Sequence, residues 1–535
     1  MSEREHPGDE LKANRAEFDR LMDLAEGEVD RHRRDAAAAR LQSAARFAWF
    51  NHPGVFRDER WERLASRIAV RAGSAAVSGF PSTTDHVIHV VTQAYELGGH
   101  TRLIARWIEN DATRTHTLVL TGQQGLPVPP SLLAAVANSG GHVVDLGHTS
   151  SLVARARMLR ELAAGDARAL VLHTHPYDVV PSLGLRGSTT KVVFLNHADH
   201  VFSAGIEVAD VVADIRPAGQ RLSWAARGVS ARASVLVPLP LAAAPVVDRA
   251  SARAALGIAD ENVVLLSIAS EYKFGAAGEE HFAAVHADLI ARTPNAELLV
   301  VGPSPAGVWA ELSDRTDGRA RALGPRSDIA EIYAAADVYL DSMPFSSLTS
   351  LLDAALRGVP VVALTRRRTR TVLSADDLSF QGMSAEFRER EDYLAHLERL
   401  LGDPEFRRKS GVETREVVEQ HHVVPHWLTH VDALMARLDE VAHPGGDDAD
   451  DAETLTVDVT DDVDREWLDA ELVSFQIASR LSEPSWLAQL RDAPYGPVGM
   501  RLRTFAAVPP GQRLRSLTFL LPDAMRSRVK RLVRR

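Results

Sequence analysis

Short apolar runs alternating with stretches of helical spacing make up most of this chain. Over residues 1–82, Phe47, Trp49, Phe50, Phe56, Trp61, Leu64 and Ile68 punctuate an alanine-rich, charged background at helical intervals, which predicts a helical extension packed on a domain. From Asp85 the pattern changes: HVIHVVT reads as a buried strand, Gly98-Gly99 as a turn, and residues 101–109 as a helix. THTLVLTG, HVVDLG, ALVLHTHP, KVVFLNHADH and SVLVPLP read as further strands, with helices over 130–138 and 151–163 and the apolar segment DVVADIR among them. The same grammar restarts near Asn262 with the strand VVLLSIAS, a helix over 277–292, the strand ELLVVGP and the block 336–362, before helices run on to Val441. Strands alternating with helices of this length predict two doubly wound parallel sheets, over 83–245 and 246–442, whose carboxyl ends face a shared cleft.

Beyond Val441, residues 443–464 are acidic and small with one arginine-free, lysine-free run, and read as a self-repelling linker. Residues 465–535 have helical spacing around Trp467, Leu472, Phe475 and Trp486 and predict a small helical module. Its tail sets Arg526, Arg528, Lys530, Arg531, Arg534 and Arg535 around Val529, Leu532 and Val533. The segment Arg526 to Arg535 therefore fits an amphipathic helix on an anionic membrane, and equally a solvated helix face or a partner for the acidic linker.

A length of 535 residues exceeds one ordinary core, in keeping with two large domains. Hydrophobic and charged contents of 45% and 25% describe a globular protein in water, and a net charge of -11 argues against nucleic acid as partner. Without cysteine the chain has no disulfides, thiolate metal sites or sulfur nucleophiles. The charged N-terminus lacks a signal-like apolar region, and no apolar run is long enough to span a bilayer, so the expectation is a cytoplasmic protein, with the basic tail offering a contact at the inner membrane face.

The most informative stretch is 336–362: a strand, a hydroxyl-rich loop, a short helix and a second strand entered through Gly358-Val359-Pro360. It sets a helix N-terminus at the carboxyl end of a parallel strand, where free N–H groups and the helix dipole attract phosphate. Ser346, Ser347, Thr349 and Ser350 add small donors, and Asp353, one turn in, is spaced to accept from ribose hydroxyls. The expected ligand is a nucleoside diphosphate. Lys273, in SEYKFG after the first strand of the second unit, would neutralise a departing diphosphate, the bland alternative being a solvated lysine. Arg326 follows another strand end and would reach the base or phosphate, or simply precede a helix capped by Ser327. In the first unit, Gly98 and Gly99 let the backbone approach a ligand. His173 with His175, and His197 with His200, end two strands; with Asp199 they have metal-ligand spacing, but the reading adopted is no metal, with His197 or His200 as general base adjusted by Asp199.

The set Tyr272-Lys273, Thr293-Pro294-Asn295-Ala296-Glu297-Leu298, Asp337, Leu340-Asp341, Thr349-Ser350, Asp353 and Gly358-Val359-Pro360 resembles the donor half of the O-GlcNAc transferase family, glycosyltransferase family 41. The resemblance implies that Lys273 touches the diphosphate, Thr349 and Ser350 cap it, and Asp353 holds the ribose. Leu348 stands where that family has a histidine, and no tetratricopeptide array precedes the unit. The first half, with Tyr95-Glu96-Leu97-Gly98-Gly99-His100-Thr101, is similar to glycosyltransferase family 4, whose paired glutamates would fall on Phe345 and Asp353. Together these imply a GT-B architecture: two Rossmann-like domains facing a cleft, an acceptor domain and a donor domain, with a helical N-terminal extension and a small helical C-terminal module. They imply a metal-independent hexosyltransferase without cofactor, taking a UDP-sugar, UDP-GlcNAc among them, to a hydroxyl of a glycan, lipid-linked glycan or protein. The alternatives are a catalytically silent GT-B subunit of a glycan-assembly complex and a sugar-nucleotide epimerase.

Overall fold

The computed structural model describes residues 7–70, 85–96, 99–242, 246–275, 281–365, 372–383, 385–442, 465–479 and 481–521. The linker 443–464, the basic tail from Arg526 to Arg535 and Gly98 lie outside the described residues.

Three helices open the chain: α1 (Pro7–Asp30), α2 (Arg34–Phe50) and α3 (Glu59–Ile68). The first sheet contains β1 (His86–Val91), β2 (Thr115–Leu120), β3 (Val143–Asp145), β4 (Ala169–His173), β5 (Val192–Asn196), β6 (Val211–Asp214) and β7 (Ser234–Leu236). Its crossovers carry α4 (Gly99–Asn110), α5 (Pro130–Asn138), α6 (Leu152–Ala163), α7 (Val180–Gly184) and α8 (Pro217–Arg227). The second sheet contains β8 (Val263–Ile268), β9 (Ala296–Val301), β10 (Ala320–Ala322), β11 (Val338–Leu340), β12 (Val361–Leu364) and β13 (Glu386–Phe387). Around it lie α9 (Arg249–Leu256), α10 (Phe282–Arg292), α11 (Val308–Arg315), α12 (Ile329–Ala335), α13 (Thr349–Leu356) and α14 (Arg390–Gly402). The chain continues through α15 (Pro404–His422), α16 (His426–Glu440), α17 (Arg465–Ala478), α18 (Ser485–Asp492) and α19 (Val498–Ala506).

Both sheets are parallel, in the orders β3-β2-β1-β4-β5-β6-β7 and β10-β9-β8-β11-β12-β13. The strand order reverses between β1 and β4 and between β8 and β11, which opens a crevice at the carboxyl end of each sheet. Strands such as β1 and β9 are buried along their whole length, because helices cover both faces, and this is why they read as unbroken apolar runs.

Two segments pack differently from the expected layout. Helix α16 was expected within the second unit, yet it returns to the first: Trp427 Nε1 donates to Pro238 O at 2.7 Å, its ring meets Trp107 edge-on at 5.6 Å, and Arg168 reaches Asp439 at 2.9 Å. The C-terminal helices dock on the N-terminal extension. There Arg46 holds Asp492 through two nitrogens at 2.8 and 3.0 Å, Gln42 adds a bond at 2.9 Å, and the Arg46 guanidinium lies 3.5 Å from the centre of the Tyr177 ring. His52 and Asp469 pair at 2.8 Å beside them. Both terminal regions thus form one layer against the first unit. No helix among the described residues is long and apolar enough to cross a membrane.

Candidate active site

In the second unit the chain leaves β8 through a short turn, Glu271–Phe274, that carries Lys273. The ammonium donates to Ser346 O at 2.8 Å and lies 4.6 Å from the centre of the Phe345 ring. Burial pushes its pKa down to about 8; Asp341 opposes that shift and Arg216, from the first unit, adds to it. After β11, Asp341 organises the loop: its Oδ1 accepts from Ser347 N at 2.7 Å, Ser347 Oγ at 2.6 Å and Ser342 N at 2.9 Å. Leu348, the N-cap residue of α13, holds φ +34°, a left-handed conformation that a branched side chain adopts only under constraint.

The candidate donor residues divide. Thr349 and Ser350 form the first turn of α13, half-buried, with Ser350 N donating to Ser347 O at 3.4 Å. Ser346 accepts from Leu348 N at 3.1 Å through Oγ while its carbonyl receives Lys273. Ser347 differs from expectation, because its hydroxyl is committed to Asp341 and to Tyr339 Oη at 2.8 Å and so shapes the loop. Asp353, expected at a ribose, faces Arg106 of α4, with Oδ1 and Nη2 3.7 Å apart. Arg326 is not brought into the group: it grips Asp328 two residues on, with Nε 2.7 Å from Oδ1, at the surface.

The first unit meets this loop head-on. A Cβ placed on Gly99, the first residue of α4, would stand 3.5 Å from Thr349 Oγ1. The N-termini of α4 and α13 therefore lie next to each other, and each contributes the positive end of a helix dipole to that place. In the loop after β5, His200 sets its ring edge-on to Phe345 at 5.0 Å, so His200 and Lys273 both border one phenyl ring. His200 Nδ1 is 3.7 Å from Asp199 Oδ1, an ion-pair distance; burial lowers the pKa of His200 while Asp199 holds it up. Asp199 serves Arg216 more closely, at 2.7 and 3.0 Å, and although burial would push its pKa up, Arg216 holds it well below the usual carboxylate range. Gly219 permits that approach, since a Cβ there would come within 2.7 Å of Asp199 Oδ2. Nη2 of Arg216 also donates to Val372 O and Nη1 donates to Ser374 O, which ties the two units together.

His197 is apart from His200. It stacks on His100 with ring centres 4.2 Å apart, and burial pushes its pKa down to about 4. His175 bonds Tyr177 Oη at 2.8 Å, and His173 ends a hydrogen-bonded row of imidazoles inside the sheet. In that row His116 Nε2 is 3.1 Å from Asp111 O and must carry the proton, so its Nδ1 accepts from His89 Nε2 at 2.9 Å, and His89 Nδ1 accepts from His173 Nε2 at 2.9 Å. Among the described residues no three His, Cys, Asp or Glu side chains group as a metal site.

Sequence reasoning missed Arg106, His100, Arg216 and Phe475. Arg216 alone carried a signal, its place directly after a strand end. Phe475 of α17 reaches in from the C-terminal helices and packs tilted against Phe345 at 5.1 Å, while Ser479 Oγ donates to Tyr272 O at 3.0 Å.

Two parallel Rossmann-like sheets with their carboxyl edges apposed define the GT-B fold, and the chain resembles GT-B glycosyltransferases. Residues 270–403 match the family model Glycosyl transferases group 1, a span that includes Lys273, Arg326, the Ser346–Ser350 loop and Asp353. HepE of Anabaena, solved with UDP and glucose, has the same fold, with a TM-score of 0.50 and 15% identity over 66% of this chain and 99% of its own. A mutant O-GlcNAc transferase of Thermobaculum terrenum superposes with a TM-score of 0.48 and 16% identity, over 78% of this chain and 82% of its own. No curated protein matches the chain by sequence.

Proposed function

We propose that the chain is a glycosyltransferase that moves a sugar from a nucleoside diphosphate donor, UDP-sugars such as UDP-GlcNAc foremost, to an acceptor hydroxyl on a glycan, lipid-linked glycan or protein. The observation that carries this reading is the meeting of two helix N-termini, at Gly99 and Thr349, within the crevice that also receives the Lys273 ammonium. In the reaction the acceptor oxygen bonds the anomeric carbon as the bond from that carbon to the β-phosphate oxygen breaks. The acceptor proton passes to a base, and the new charge on the diphosphate falls to Lys273 and the helix ends. His200 suits the base better than His197: it borders the Phe345 ring that Lys273 also touches and has Asp199 beside it, whereas His197 is stacked against His100. This chemistry needs no metal, so turnover is expected to survive EDTA.

Incubation with a panel of nucleotide sugars, with and without candidate acceptors, followed by measurement of released nucleotide, tests the reading. The absence of both binding and hydrolysis with every donor would count heavily against it. Two observations favour the silent-subunit alternative: Arg106 faces Asp353, and the Phe345 ring, packed against Phe475, lies against Lys273. Lys273→Ala separates the two, since it abolishes turnover in a transferase and changes nothing in a subunit that only binds partners.

A further inference from the structure

At the edge of the second sheet opposite Lys273 lies a cavity of about 670 Å³. It is bounded by the residues that lead into β11 and β12, Ala336 with Asp337 and Gly358 to Pro360, and by α12, α15 and the segment through Val246 and Val247 that joins the two units. Those residues precede their strands, whereas the donor loop follows β11, so the two places lie at opposite ends of the same sheet. The volume suits a small molecule.

Its charge is one-sided. Arg249, Arg357, Arg407, Arg408 and Arg415 line it, against the acids Asp337 and Glu419. Arg249 is neutralised by Asp337 at 2.6 Å and Arg415 by Glu419 at 2.7 Å. Arg357 and Arg407 instead donate to backbone carbonyls, of Asp353 and Leu400, which satisfies hydrogen bonds but leaves both charges without a carboxylate among the described residues. Among the described residues Arg408 has only Glu405, 3.7 Å away at the surface. The Arg357 guanidinium is held over the Tyr333 ring, 4.6 Å from its centre, so one cation is fixed in place before any ligand arrives. Val246, Val247, Tyr333, Leu356 and Val359 give the same cavity an apolar wall.

We propose that this cavity is a second ligand site, for a small phosphate-bearing molecule whose anionic group is taken by Arg357, Arg407 and Arg408 and whose body rests on the apolar wall. Guanidinium forks match phosphate oxygens in pairs, and cations already ordered by packing lose little freedom on binding.

The test is calorimetric titration of inorganic pyrophosphate into the full chain saturated with UDP, and in parallel into Lys273→Ala, in which the donor loop lacks its cation. Binding in both is expected, weakened at least tenfold in Arg407→Ala/Arg408→Ala and in the exposed charge reversal Arg408→Glu, with melting temperatures close to the parent for the latter. Absence of binding at millimolar pyrophosphate overturns the proposal, as does binding that Lys273→Ala removes or that neither arginine variant weakens. Failure of UDP itself to bind would count against the transferase reading alone, because the Lys273→Ala arm still reads this cavity.

Discussion

Donor affinity should depend on pH through Lys273. An ordinary lysine, with a pKa near 10.4, stays charged through pH 9, and its contribution to phosphate binding is flat over that range. Lys273 is different, because burial brings its pKa to about 8 in the free protein. A bound diphosphate favours the charged amine, so the pKa rises in the complex, and affinity that is complete below pH 7 is lost as pH climbs through 8. At pH 9 about one molecule in eleven still carries the charge, so the Kd for UDP should be about tenfold weaker than at pH 7, about 1.4 kcal/mol. Calorimetry in buffers of differing ionisation enthalpy adds an independent readout: at pH 8.5 binding should take up about three-quarters of a proton. Lys273→Met should bind weakly with no such slope and no proton uptake. A Kd that is flat from pH 7 to 9, or a slope that persists in Lys273→Met, would refute the assignment of this amine to the diphosphate.

Three further outcomes follow from the buried polar groups. Burial holds His89, His100 and His173 neutral well below the usual histidine range, His175 down to about 3 and His197 to about 4; unfolded histidines protonate near 6.5, so the stability these five contribute is present above that pH and is lost below it at about 1.4 kcal/mol each at pH 5.5. The sum is comparable with the whole stability of a domain, and equal urea midpoints at pH 7 and 5.5 would contradict it. Asp214 has the opposite sign: burial raises its carboxyl to about 7 despite bonds from Asn196 at 2.7 Å and Ser223 at 2.9 Å, so its ionisation costs stability as pH rises. Asp214→Asn should therefore stabilise increasingly with pH, by about 3 kcal/mol more at pH 8 than at pH 5, and equal gains in thermal midpoint at both would exclude this. Asp492→Ala strands the buried Arg46 between the terminal regions and should cost about 3–5 kcal/mol in denaturant titration, whereas a loss under 1 kcal/mol would mean the pair does not join those regions.

What the sequence displayed was burial, and burial on both faces is what parallel strands require. The runs of β1, β2, β4, β5, β8 and β9 were therefore legible, as was the strand, loop and helix order around α13, where hydroxyls and Asp353 occupy fixed spacings. Strands β10 and β13, of three and two residues, were too short to carry a period. Partner choice was not legible either. The apolar stripe of α16 says that one face is covered, but nothing in its spacing distinguishes the second unit from the first, and only the seat of Trp427 on Pro238 and Trp107 decides it. The same holds for the C-terminal helices, whose anchors include a buried aspartate meeting a buried arginine across the length of the chain.

Phe345 shows where such reasoning ends. From sequence it registers as an acid that is absent from a family pattern, a statement about what the site lacks. In the fold its ring is approached by the Lys273 ammonium at 4.6 Å, the His200 ring at 5.0 Å, the Phe475 ring at 5.1 Å and the Tyr272 ring at 6.5 Å. An anion at that position would pair with Lys273 and hold its proton on at pH 9. A phenyl ring desolvates the amine and offers only the weaker attraction of its face, so until a diphosphate arrives the ammonium gives up its proton near pH 8. The substitution that weakens the family resemblance is thus part of what brings the Lys273 pKa into the range where donor binding becomes sensitive to pH. The contacts that produce the effect come from four segments far apart in the chain.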